Sequence, residues 1–577
     1  MPIDPRTAAH VLAQIAAHVE LRGDNLFKAR AYESAARALR ALESDDLASA
    51  LESGELAAMR GLGPATVAVV RDLVEHGQSQ YLEQLRTTTP EGLLEMLRVP
   101  GMTPPKILKI HEALGIQTVD ELEEAARDGR LATLPRYGKK TADKILNGIA
   151  LLRARGTQRL YHHARSEGDR LRAMVQAHPN VVRATVAGPL RRLCETVGNL
   201  DVVAGCSADP RGVAASFTRL GGVKQATGSG ASVEILFVDG ITLRLHCTLD
   251  RDFGFALFAA TGSTDHVAAV ATRLIRRGYS LGGAGLENDG KPVPTPVERM
   301  VYELAGLQYI DPALREARGE VDAAANHTLP NLVVDADIRG VLHCHTVRSD
   351  GKASIEEMAR GAEARGWSYI GISDHSKAAF YASGMSESQL SSQIDEIDEF
   401  NTSKRSGVRV LKGIEADILA DGRLDYDSTT LDRLDFVIGS IHSRFSMNGA
   451  AMTERVLRAM DDPHLTILAH PTGRLLLSRE AYALDVEAVL EKAADRGVAV
   501  EVNADPHRLD LDWRHCIRAR ELGVRISIGP DAHSVSSLDY VFMGVSMARK
   551  GWLEAKDVLN TGSADDVIAF AGGRRAS

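Results

Sequence analysis

The sequence predicts a multidomain protein that runs from a helical region, through a small α+β region, to a C-terminal α/β barrel. Its 577 residues exceed the roughly 250–300 residues at which a single hydrophobic core stops growing. Over the first 150 residues, apolar side chains recur at three- and four-residue spacing between short Gly/Pro breaks, which predicts helices. From about residue 338, strand-like apolar runs alternate with amphipathic helices, which predicts the barrel.

The composition, with 44% hydrophobic and 25% charged residues, is typical of a soluble globular protein. No run of about 18 apolar residues occurs, and the N-terminus lacks the apolar core of a signal peptide. The five cysteines form no CxxC pair and are too few for a disulfide framework in a chain of this length. We therefore expect a cytosolic protein with no membrane partner.

The net charge of −9 hides a local asymmetry. Residues 1–330 contain 39 basic and 39 acidic side chains, so the whole excess of acidic groups lies in the remainder. Within the first part, residues 101–200 hold 17 basic and 10 acidic side chains. A locally basic segment favours contact with DNA phosphates, although a solvated helical face would show the same charges.

Three Gly-containing breaks in the helical region resemble one another: "MRGLGPATVAVVRDLVEHG", "LRVPGMTPPKILKIHEALG" and "LPRYGKKTADKILNGIALL". In such a loop, glycines let the backbone approach a phosphate while the first N–H groups of the next helix point at it. The pattern is that of the helix-hairpin-helix, which binds DNA without regard to sequence; ordinary structural turns between helices are the alternative. The candidate DNA-binding residues are Gly61, Gly63, Gly101, Lys106, Gly138, Lys139 and Lys140.

Short β-like runs follow the helices, and the stretch "GPLRRLCETVGNLDVV" opens a potential metal site on one of them. This order, together with "DFGFALFAATGSTDH" and "VERMVYELAGLQYI", resembles the bacterial X-family DNA polymerases over most of residues 1–325. The resemblance implies a palm with three metal-binding carboxylates that hold two Mg²⁺ ions for nucleotidyl transfer.

The sequence departs from that family where the chemistry would occur. Asn199 replaces the first carboxylate, Asp201 keeps the second, and Arg244 stands at the third. Pro189 replaces a serine, and Ala259–Ala260 replaces an aromatic pair. Mg²⁺ binding in the palm is therefore doubtful, unless Glu195 or Glu234 compensates. The altered polymerase site comprises Pro189, Arg191, Asn199, Asp201, Arg244, Ala259 and Ala260.

Seven strand-like runs in the last 240 residues predict a distorted (β/α)7 barrel that lacks one of the usual eight repeats. Metal-ligating residue types lie at or just after the ends of these runs, where barrels carry their active sites. His343 and His345 flank Cys344, so both imidazoles should face one side of their strand. The nine candidate ligands are His343, His345, Asp350, His375, Glu415, His442, His470, Asp531 and His533.

These motifs resemble the PHP (polymerase and histidinol phosphatase) family, whose nine metal-ligand positions are all filled here. The resemblance implies three divalent ions, of Mn²⁺, Zn²⁺ or Fe²⁺, that activate water for phosphoester hydrolysis. It assigns His343, His345, Glu415 and Asp531 to one ion, Glu415, His442 and His470 to a second, and Asp350, His375 and His533 to a third. Arg444 and Lys377 are candidates for contact with substrate phosphate, or ordinary surface residues.

The resemblance divides the chain into six segments: an N-terminal helical DNA-binding domain with the first hairpin (1–80), a fingers-like region with two hairpins (81–155), a palm-like domain (156–247), a thumb-like domain (248–318), a linker (319–337) and the PHP phosphoesterase barrel (338–577). We expect a monomer of the bacterial cytosol and nucleoid that acts on gapped or 3′-ended duplex DNA as a metal-dependent 3′–5′ exonuclease, with synthesis impaired or lost. The alternatives are a bifunctional gap-filling polymerase and exonuclease, a non-catalytic DNA-binding adaptor, and a small-molecule phosphatase.

Overall fold

A computed structural model describes residues 3–22, 26–40, 42, 47–135, 137–282, 285–403 and 405–576. Among them, no helix combines the length and the apolarity that crossing a bilayer requires. The described chain follows the predicted order, with helices first, then an α+β region, then a parallel α/β barrel. The predicted fold class is therefore confirmed.

The N-terminal region is helical and packs around two hydrophobic cores, one between Ala8 and Leu85 and the other between Leu93 and Ile149. Leu21 of the first helix reaches the second core and thereby joins the two. The elements are α1 (Pro5–Leu21), α2 (Leu26–Arg40), α3 (Leu47–Glu52), α4 (Glu55–Ala58), α5 (Pro64–His76), α6 (Gln80–Thr88), α7 (Glu91–Met96), α8 (Pro104–Leu114), α9 (Val119–Arg127), a 3-10 turn (Arg130–Thr133) and α10 (Lys139–Arg155).

The next region is a five-stranded sheet in the order β2-β4-β7-β6-β5, in which β4 and β7 are parallel and the other neighbours antiparallel. Two short strands, β1 and β3, pair beside it. The elements are β1 (Arg159–Leu160), α11 (Tyr161–Gln176), β2 (Val181–Ala187), α12 (Gly188–Arg191), β3 (Thr196–Val197), β4 (Leu200–Cys206), α13 (Pro210–Phe217), β5 (Val223–Ser229), β6 (Ser232–Phe237) and β7 (Thr242–Leu249).

A smaller unit follows, whose core surrounds the buried Tyr302. Within it His266 contacts Glu320 through Nδ1 at 2.6 Å and the Tyr302 hydroxyl through Nε2 at 2.9 Å. The elements are α14 (Phe253–Thr261), α15 (Thr264–Arg276), β8 (Tyr279–Gly282), β9 (Gly285–Asn288), β10 (Lys291–Val293), α16 (Arg299–Leu304) and α17 (Glu320–Ala325), with 3-10 turns at Asp250–Asp252 and Pro312–Leu314.

The C-terminal region is a parallel barrel with seven strand positions, because β13 and β14 are two parts of one run. A parallel bridge between Cys344 and Ala532 connects the first position to the last. The elements are β11 (Gly340–Val341), α18 (Ile355–Glu363), β12 (Tyr369–Ile372), α19 (Glu387–Ser403), β13 (Arg409–Lys412), β14 (Glu415–Asp417), α20 (Ser428–Leu431), β15 (Ile438–Ser440), α21 (Gly449–Ala459), β16 (Ile467–Leu468), α22 (Val486–Arg496), β17 (Ala499–Asn503), α23 (Trp513–Glu521), β18 (Ile526–Gly529), α24 (Val541–Lys550) and α25 (Ala564–Ala576). Further 3-10 turns lie at Asp335–Asp337, Phe380–Ala382, Val535–Tyr540, Ala555–Asp557 and Leu559–Thr561.

The segment expected to be a linker, residues 319–337, is packed against the barrel. It contains α17, and Val333 within it is fully buried and donates its backbone N–H to the Leu553 carbonyl at 3.0 Å. The sheet region also contacts the barrel, since Glu195 pairs with Arg514 at 3.0 Å. Ordered contacts therefore connect the two halves of the molecule.

Candidate metal centre

The nine predicted ligands come together at the end of the barrel where the strands finish. Each is delivered by the end of a strand or by the loop that follows it, and successive strands of a parallel barrel finish at the same rim. The ligand atoms form four groups whose members lie within 4.8 Å of one another. The groups are His345, Asp350, His375 and His533; His343, His345 and Glu415; His343, His470 and Asp531; and His375, Glu415 and His442.

Glu415 lies at the middle of the cluster, with imidazoles on both of its carboxylate oxygens. Its Oε1 is 3.1 Å from His470 Nε2 and 3.2 Å from His442 Nε2. Its Oε2 is 2.9 Å from His375 Nδ1 and 3.6 Å from His345 Nε2. A carboxylate surrounded in this way is suited to bridge two cations.

Two further carboxylates complete the cluster. Asp531 Oδ1 lies 3.2 Å from His345 Nε2 and 3.6 Å from His343 Nε2. The Asp350 carboxylate lies 3.3 Å from His533 Nε2 and 3.7 Å from His375 Nε2. Because His345 belongs to two of the four groups, the division of the ligands among individual ions stays a prediction.

The residues fit a divalent transition metal, as the state of their polar atoms indicates. Among the described side chains, Glu415 Oε2 and several imidazole nitrogens of the cluster are buried without a partner in hydrogen-bonding geometry. Leaving a buried polar atom unsatisfied costs about 1–3 kcal/mol. Imidazole and carboxylate together are the ligand types that Zn²⁺, Mn²⁺ and Fe²⁺ accept. The unsatisfied atoms are His343 Nε2, His345 Nδ1 and Nε2, His375 Nδ1 and Glu415 Oε2.

The electrostatics of the cluster keep its central acids ionised. Burial raises the pKa of Glu415, but the imidazoles of His375, His442 and His343 outweigh it, so the pKa lies well below its usual range. The pKa of Asp531 is lowered for the same reason, chiefly by His343 and His345. Burial and the Arg508 cation lower the pKa of His470 to about 3, which keeps its imidazole neutral and able to bind a metal.

A second layer of carboxylates orients the imidazoles and was not identified from the sequence. His343 contacts Glu501 through Nδ1 at 2.6 Å, and His442 contacts Asp417 through Nδ1 at 2.5 Å. Such contacts fix the tautomer and would leave the opposite nitrogen available to bind a metal. The signal in the sequence is Glu501 within the apolar strand "VAVEVNAD", because a charge on a buried strand needs a partner.

Arg508 is a third residue near the cluster that was not identified from the sequence. Its Nε lies 3.4 Å from Asp531 Oδ2, which places a cation at the edge of the cluster. The two cations predicted to touch substrate have other surroundings: Lys377 pairs with Glu387, 2.5 Å away, and Arg444 is exposed with a left-handed φ of 58°. Their proposed contact with phosphate stays a prediction.

Several side chains of the altered polymerase site have partners within the protein. Arg244 lies directly opposite Asp201 on β7 and pairs with Glu234 at 2.9 Å. When the Asn199 amide is oriented by its hydrogen bonds, its oxygen accepts from Arg244 Nε at 3.1 Å. Asp201 is buried beside His246, whose Nε2 is 3.6 Å from Oδ1.

The other residues of this site either pair with protein groups or have small side chains. Arg191 makes a bidentate pair with Glu298 at 2.7 and 2.8 Å. Pro189 lies in the first turn of α12, and Ala259 and Ala260 line an open cleft of about 760 Å³. Of the two possible replacement carboxylates, Glu234 is bound to Arg244.

Glu195, the other possible replacement, is committed elsewhere. It pairs with Arg514 at 3.0 Å and with Arg474 at 3.6 Å, and both arginines belong to the barrel. Its carboxylate therefore serves the contact between the two halves of the molecule.

The three predicted hairpins are helix-loop-helix turns. Gly61 and Gly101 adopt left-handed φ values of 103° and 82°, and Gly63 and Gly138 are the residues that cap the next helices. The Lys106 ammonium donates to the Gly101 carbonyl at 2.7 Å within its own hairpin.

Lys139 and Lys140 occupy the exposed first turn of α10. Cations at a helix N-terminus are unfavourable unless an anion lies close to them. The exposed start of α10 is therefore suited to an anionic ligand.

Family comparisons match four parts of the chain. The description "PHP domain" matches residues 342–505, and "DNA polymerase beta thumb" matches residues 256–316. "Helix-hairpin-helix domain" matches residues 6–79, and "SAM-like Helix-hairpin-helix tandem" matches residues 93–150.

Similar proteins fall into two kinds. The "DNA polymerase/3′-5′ exonuclease PolX" of Bacillus subtilis is 35% identical over 565 residues, which cover 97% of this chain and 98% of the relative. A "Probable phosphatase" of Caldanaerobacter subterraneus is 32% identical over 33% of this chain and 74% of its own length. Another, from Caldicellulosiruptor saccharolyticus, is 31% identical over 33% of this chain and 78% of its own.

Proposed function

Because the chain belongs to the bacterial X-family DNA polymerases that carry a C-terminal PHP domain, we propose that it is a metal-dependent 3′–5′ exodeoxyribonuclease. Its polymerase-like half holds and positions DNA and is impaired in synthesis. The observation that carries this proposal is the contrast between nine converging donors in the barrel and a palm in which Arg244 faces Asp201.

The barrel holds three divalent ions in this proposal. His343, His345 and Asp531 share one with Glu415; His442 and His470 share a second with Glu415; and Asp350, His375 and His533 hold the third. Bound divalent ions lower the pKa of water and take up charge on phosphate oxygens, which is the chemistry that hydrolysis of a phosphodiester needs. The unsatisfied buried nitrogens of the cluster support this loading.

The protein's own residues prepare that chemistry. Glu501 and Asp417 hold His343 and His442 so that their Nε2 atoms face Glu415, at 3.5 and 3.2 Å. Arg508, beside Asp531, adds a cation within reach of a phosphate at the rim. No serine or cysteine nucleophile is required.

The palm lacks the charge that nucleotidyl transfer needs. In two-metal phosphoryl transfer, carboxylates hold two cations that lie about 3.5–4 Å from each other. Here the remaining carboxylate, Asp201, has Arg244 opposite it on the neighbouring strand. A unit cation about 4 Å from another costs on the order of 4 kcal/mol at an effective dielectric of 20. Asn199 offers only a neutral oxygen, which Arg244 already uses. We therefore propose that Mg²⁺ binds poorly in the palm.

DNA is the macromolecular partner that the helical region favours. Three hairpins, with Lys139 and Lys140 exposed at the start of α10, supply backbone and side-chain donors to phosphate. A small-molecule phosphatase would leave these hairpins without a role, and the relatives named as phosphatases cover only about a third of the chain. A gapped or 3′-ended duplex is the proposed substrate of the monomer.

Combined gap filling and trimming is the second candidate. The Bacillus relative is named as a polymerase as well as an exonuclease, and Asp201 and Glu234 remain on the palm sheet. If the Arg244 side chain moved away, Asp201 and Glu234 would be the carboxylates that could bind Mg²⁺ in the palm.

The test is a gapped duplex with a labelled strand, incubated with Mn²⁺ in the presence and absence of dNTPs. A ladder that shortens from the 3′ end under both conditions supports the proposal. Template-dependent extension when dNTPs are present supports the second candidate. Absence of both reactions from fully metal-loaded protein contradicts both.

A further inference from the structure

The loop after His375 presents two aromatic side chains to solvent beside the metal centre. Phe380 and Tyr381 are 88% and 70% exposed, and Phe380 is the most exposed large hydrophobic side chain among the described residues. The Tyr381 ring lies 6.1 Å from the ring of His375 and 6.0 Å from that of His442, both in edge-on orientation. An aromatic ring therefore stands over two of the metal ligands.

The loop that carries these rings is firmly held. On either side of them, Ala379 and Ala382 are buried at 0% and 2% exposure. The Ala378 N–H donates to Asp425 Oδ2 at 2.9 Å, and the Met385 N–H donates to the His375 carbonyl at 2.8 Å. The short 3-10 turn Phe380–Ala382 is thus fixed on both sides, and its two rings project from an ordered base.

Gly384 makes this arrangement possible. A Cβ at this position would lie 1.9 Å from the Ser376 carbonyl oxygen, so only glycine permits the loop to close so tightly on itself. Two large apolar side chains exposed on a rigid loop lose the stabilisation that burial would give them, about 1.5–3 kcal/mol each. Such an arrangement indicates a ligand with an apolar face.

We infer that Phe380 and Tyr381 form a stacking platform for the nucleobase at the 3′ end of the strand being trimmed. This inference rests on the proposed function, because it names the substrate group that the rim of the same site binds. Next to Tyr381, His375 is buried and the His442 side chain is only 8% exposed. The terminal phosphodiester must therefore enter the barrel mouth, and its base must leave the helical stack. An unstacked base has an open π face, and every base has one, so an aromatic platform accepts any sequence.

A nucleobase fits this surface better than a protein partner does. A stable protein interface buries about 1,200–2,000 Å² and needs a continuous patch. This feature consists of two adjacent exposed residues, and the Tyr381 ring lies next to two ligands for metal. Tyr381 Oη also gives one ring a polar edge that tolerates water. The platform is therefore the size of a base, and it stands where a base must lie.

The test measures trimming of two DNA substrates, one with a natural 3′-terminal nucleotide and one whose 3′-terminal nucleotide lacks its base. Both substrates are given to the wild-type enzyme and to the double variant Phe380→Ala/Tyr381→Ala. Stacking on aromatic side chains predicts that wild type prefers the natural terminus about fivefold to 100-fold in kcat/KM, mainly through KM. In the double variant this ratio should fall to about one, with kcat on the abasic substrate unchanged. The aromatic-preserving pair Phe380→Tyr/Tyr381→Phe should restore the preference.

Binding without cleavage supplies a second readout. In protein that carries Glu415→Ala, an oligonucleotide with 2-aminopurine at its 3′ end should lose fluorescence on binding. The loss should disappear when Phe380→Ala and Tyr381→Ala are added. Val334→Ala, a change at an exposed apolar residue of the segment 319–337, should leave both readouts as in its parent protein.

The outcomes separate the platform from the exonuclease itself. Equal trimming of both substrates by wild type, or a preference that survives in the double variant, overturns the platform and leaves the proposed function standing. Metal-loaded wild type that trims neither substrate overturns the proposed function, and the 2-aminopurine signal then decides on the platform by itself. Metal content and melting midpoint of each variant show that the fold is intact.

Discussion

The barrel mouth and the palm face both gather polar side chains at strand ends, but their polar atoms are in opposite states. In the barrel, Glu415 Oε2 and four imidazole nitrogens are buried without hydrogen-bond partners, an arrangement that bound metal ions would relieve. In the palm, Arg244 satisfies Glu234 and Asn199, and Arg191 satisfies Glu298. Unsatisfied polar atoms that converge on one point favour a ligand site, whereas the palm side chains named here already have partners within the protein.

The palm and the barrel also differ in what would stabilise each of them. The half-exposed pair of Arg244 with Glu234 contributes at most about 1 kcal/mol to the palm, whereas a metal that binds only the folded state would stabilise the barrel. The predictions below act on one region or the other, starting with the largest effect.

Removal of the central carboxylate is expected to have the greatest effect. Glu415→Ala should reduce 3′ trimming about 1,000-fold or more, because bound ions supply several kcal/mol of transition-state stabilisation. The metal content per chain should fall and DNA affinity should stay nearly constant, as measured by elemental analysis and by fluorescence anisotropy. Glu454→Ala, a change at an exposed position of α21, is the matched control. Trimming at the wild-type rate by pure Glu415→Ala protein would disprove the metal assignment.

The second layer should matter less than the ligands. Glu501→Gln should lower metal affinity or trimming about 10- to 100-fold, because the His343 imidazole loses its charged partner 2.6 Å away. Activity should recover as Mn²⁺ is raised, and a titration of rate against metal concentration measures this. Glu487→Gln, at an exposed position of α22, should leave the titration curve in place. A loss that no metal concentration restores would show that Glu501 has another role.

The hairpins should affect binding and not chemistry. Replacing Lys106, Lys139 and Lys140 together by Ala should reduce the slope of log K against log salt by about one unit for each DNA phosphate that the variant no longer neutralises. Trimming at saturating DNA should change little. The matched triple is Lys412, Lys492 and Lys556, all in ion pairs of the barrel. If both triples give the wild-type slope, the hairpins are structural turns.

The ion pairs of Glu298, which join the palm-like and thumb-like segments, should affect stability in acid. Burial raises the pKa of Glu298, but Arg191 and Arg315 outweigh it and lower the pKa from 4.5 to about 2. A lowered pKa means that its stabilisation, on the order of 3 kcal/mol, is complete above about pH 4.5 and is lost as pH falls towards 2.

The Glu298→Gln variant isolates this contribution. At pH 5 the melting midpoint of the variant should lie below that of wild type, and this difference should become smaller as the pH is lowered to 3. Trimming at neutral pH should stay unchanged. Glu303→Gln, on the exposed side of the same helix, is the control. A deficit independent of pH would show that Glu298 does not act through its charge.

The sequence predicts much of this architecture because its signals are local. The seven strand runs, the three hairpins and the positions of the nine donors all follow from periodicity and spacing. Contacts between segments that are distant in the chain cannot be predicted in this way, because they depend on the complete fold. Glu195 could be a replacement carboxylate until Arg514, 319 residues away, is seen to bind it. Phe380 and Tyr381 belong to an apolar-looking segment, and only the fold shows them exposed.

The most direct test compares wild type, Glu415→Ala and Asp201→Ala on one gapped duplex with Mn²⁺ and dNTPs. If the barrel is active and the palm does not synthesise DNA, wild type and Asp201→Ala should trim the 3′ end equally and Glu415→Ala should not trim it. None of the three proteins should extend the strand. Extension by wild type that disappears in Asp201→Ala would contradict this prediction, and would identify the palm as a working polymerase site despite Arg244.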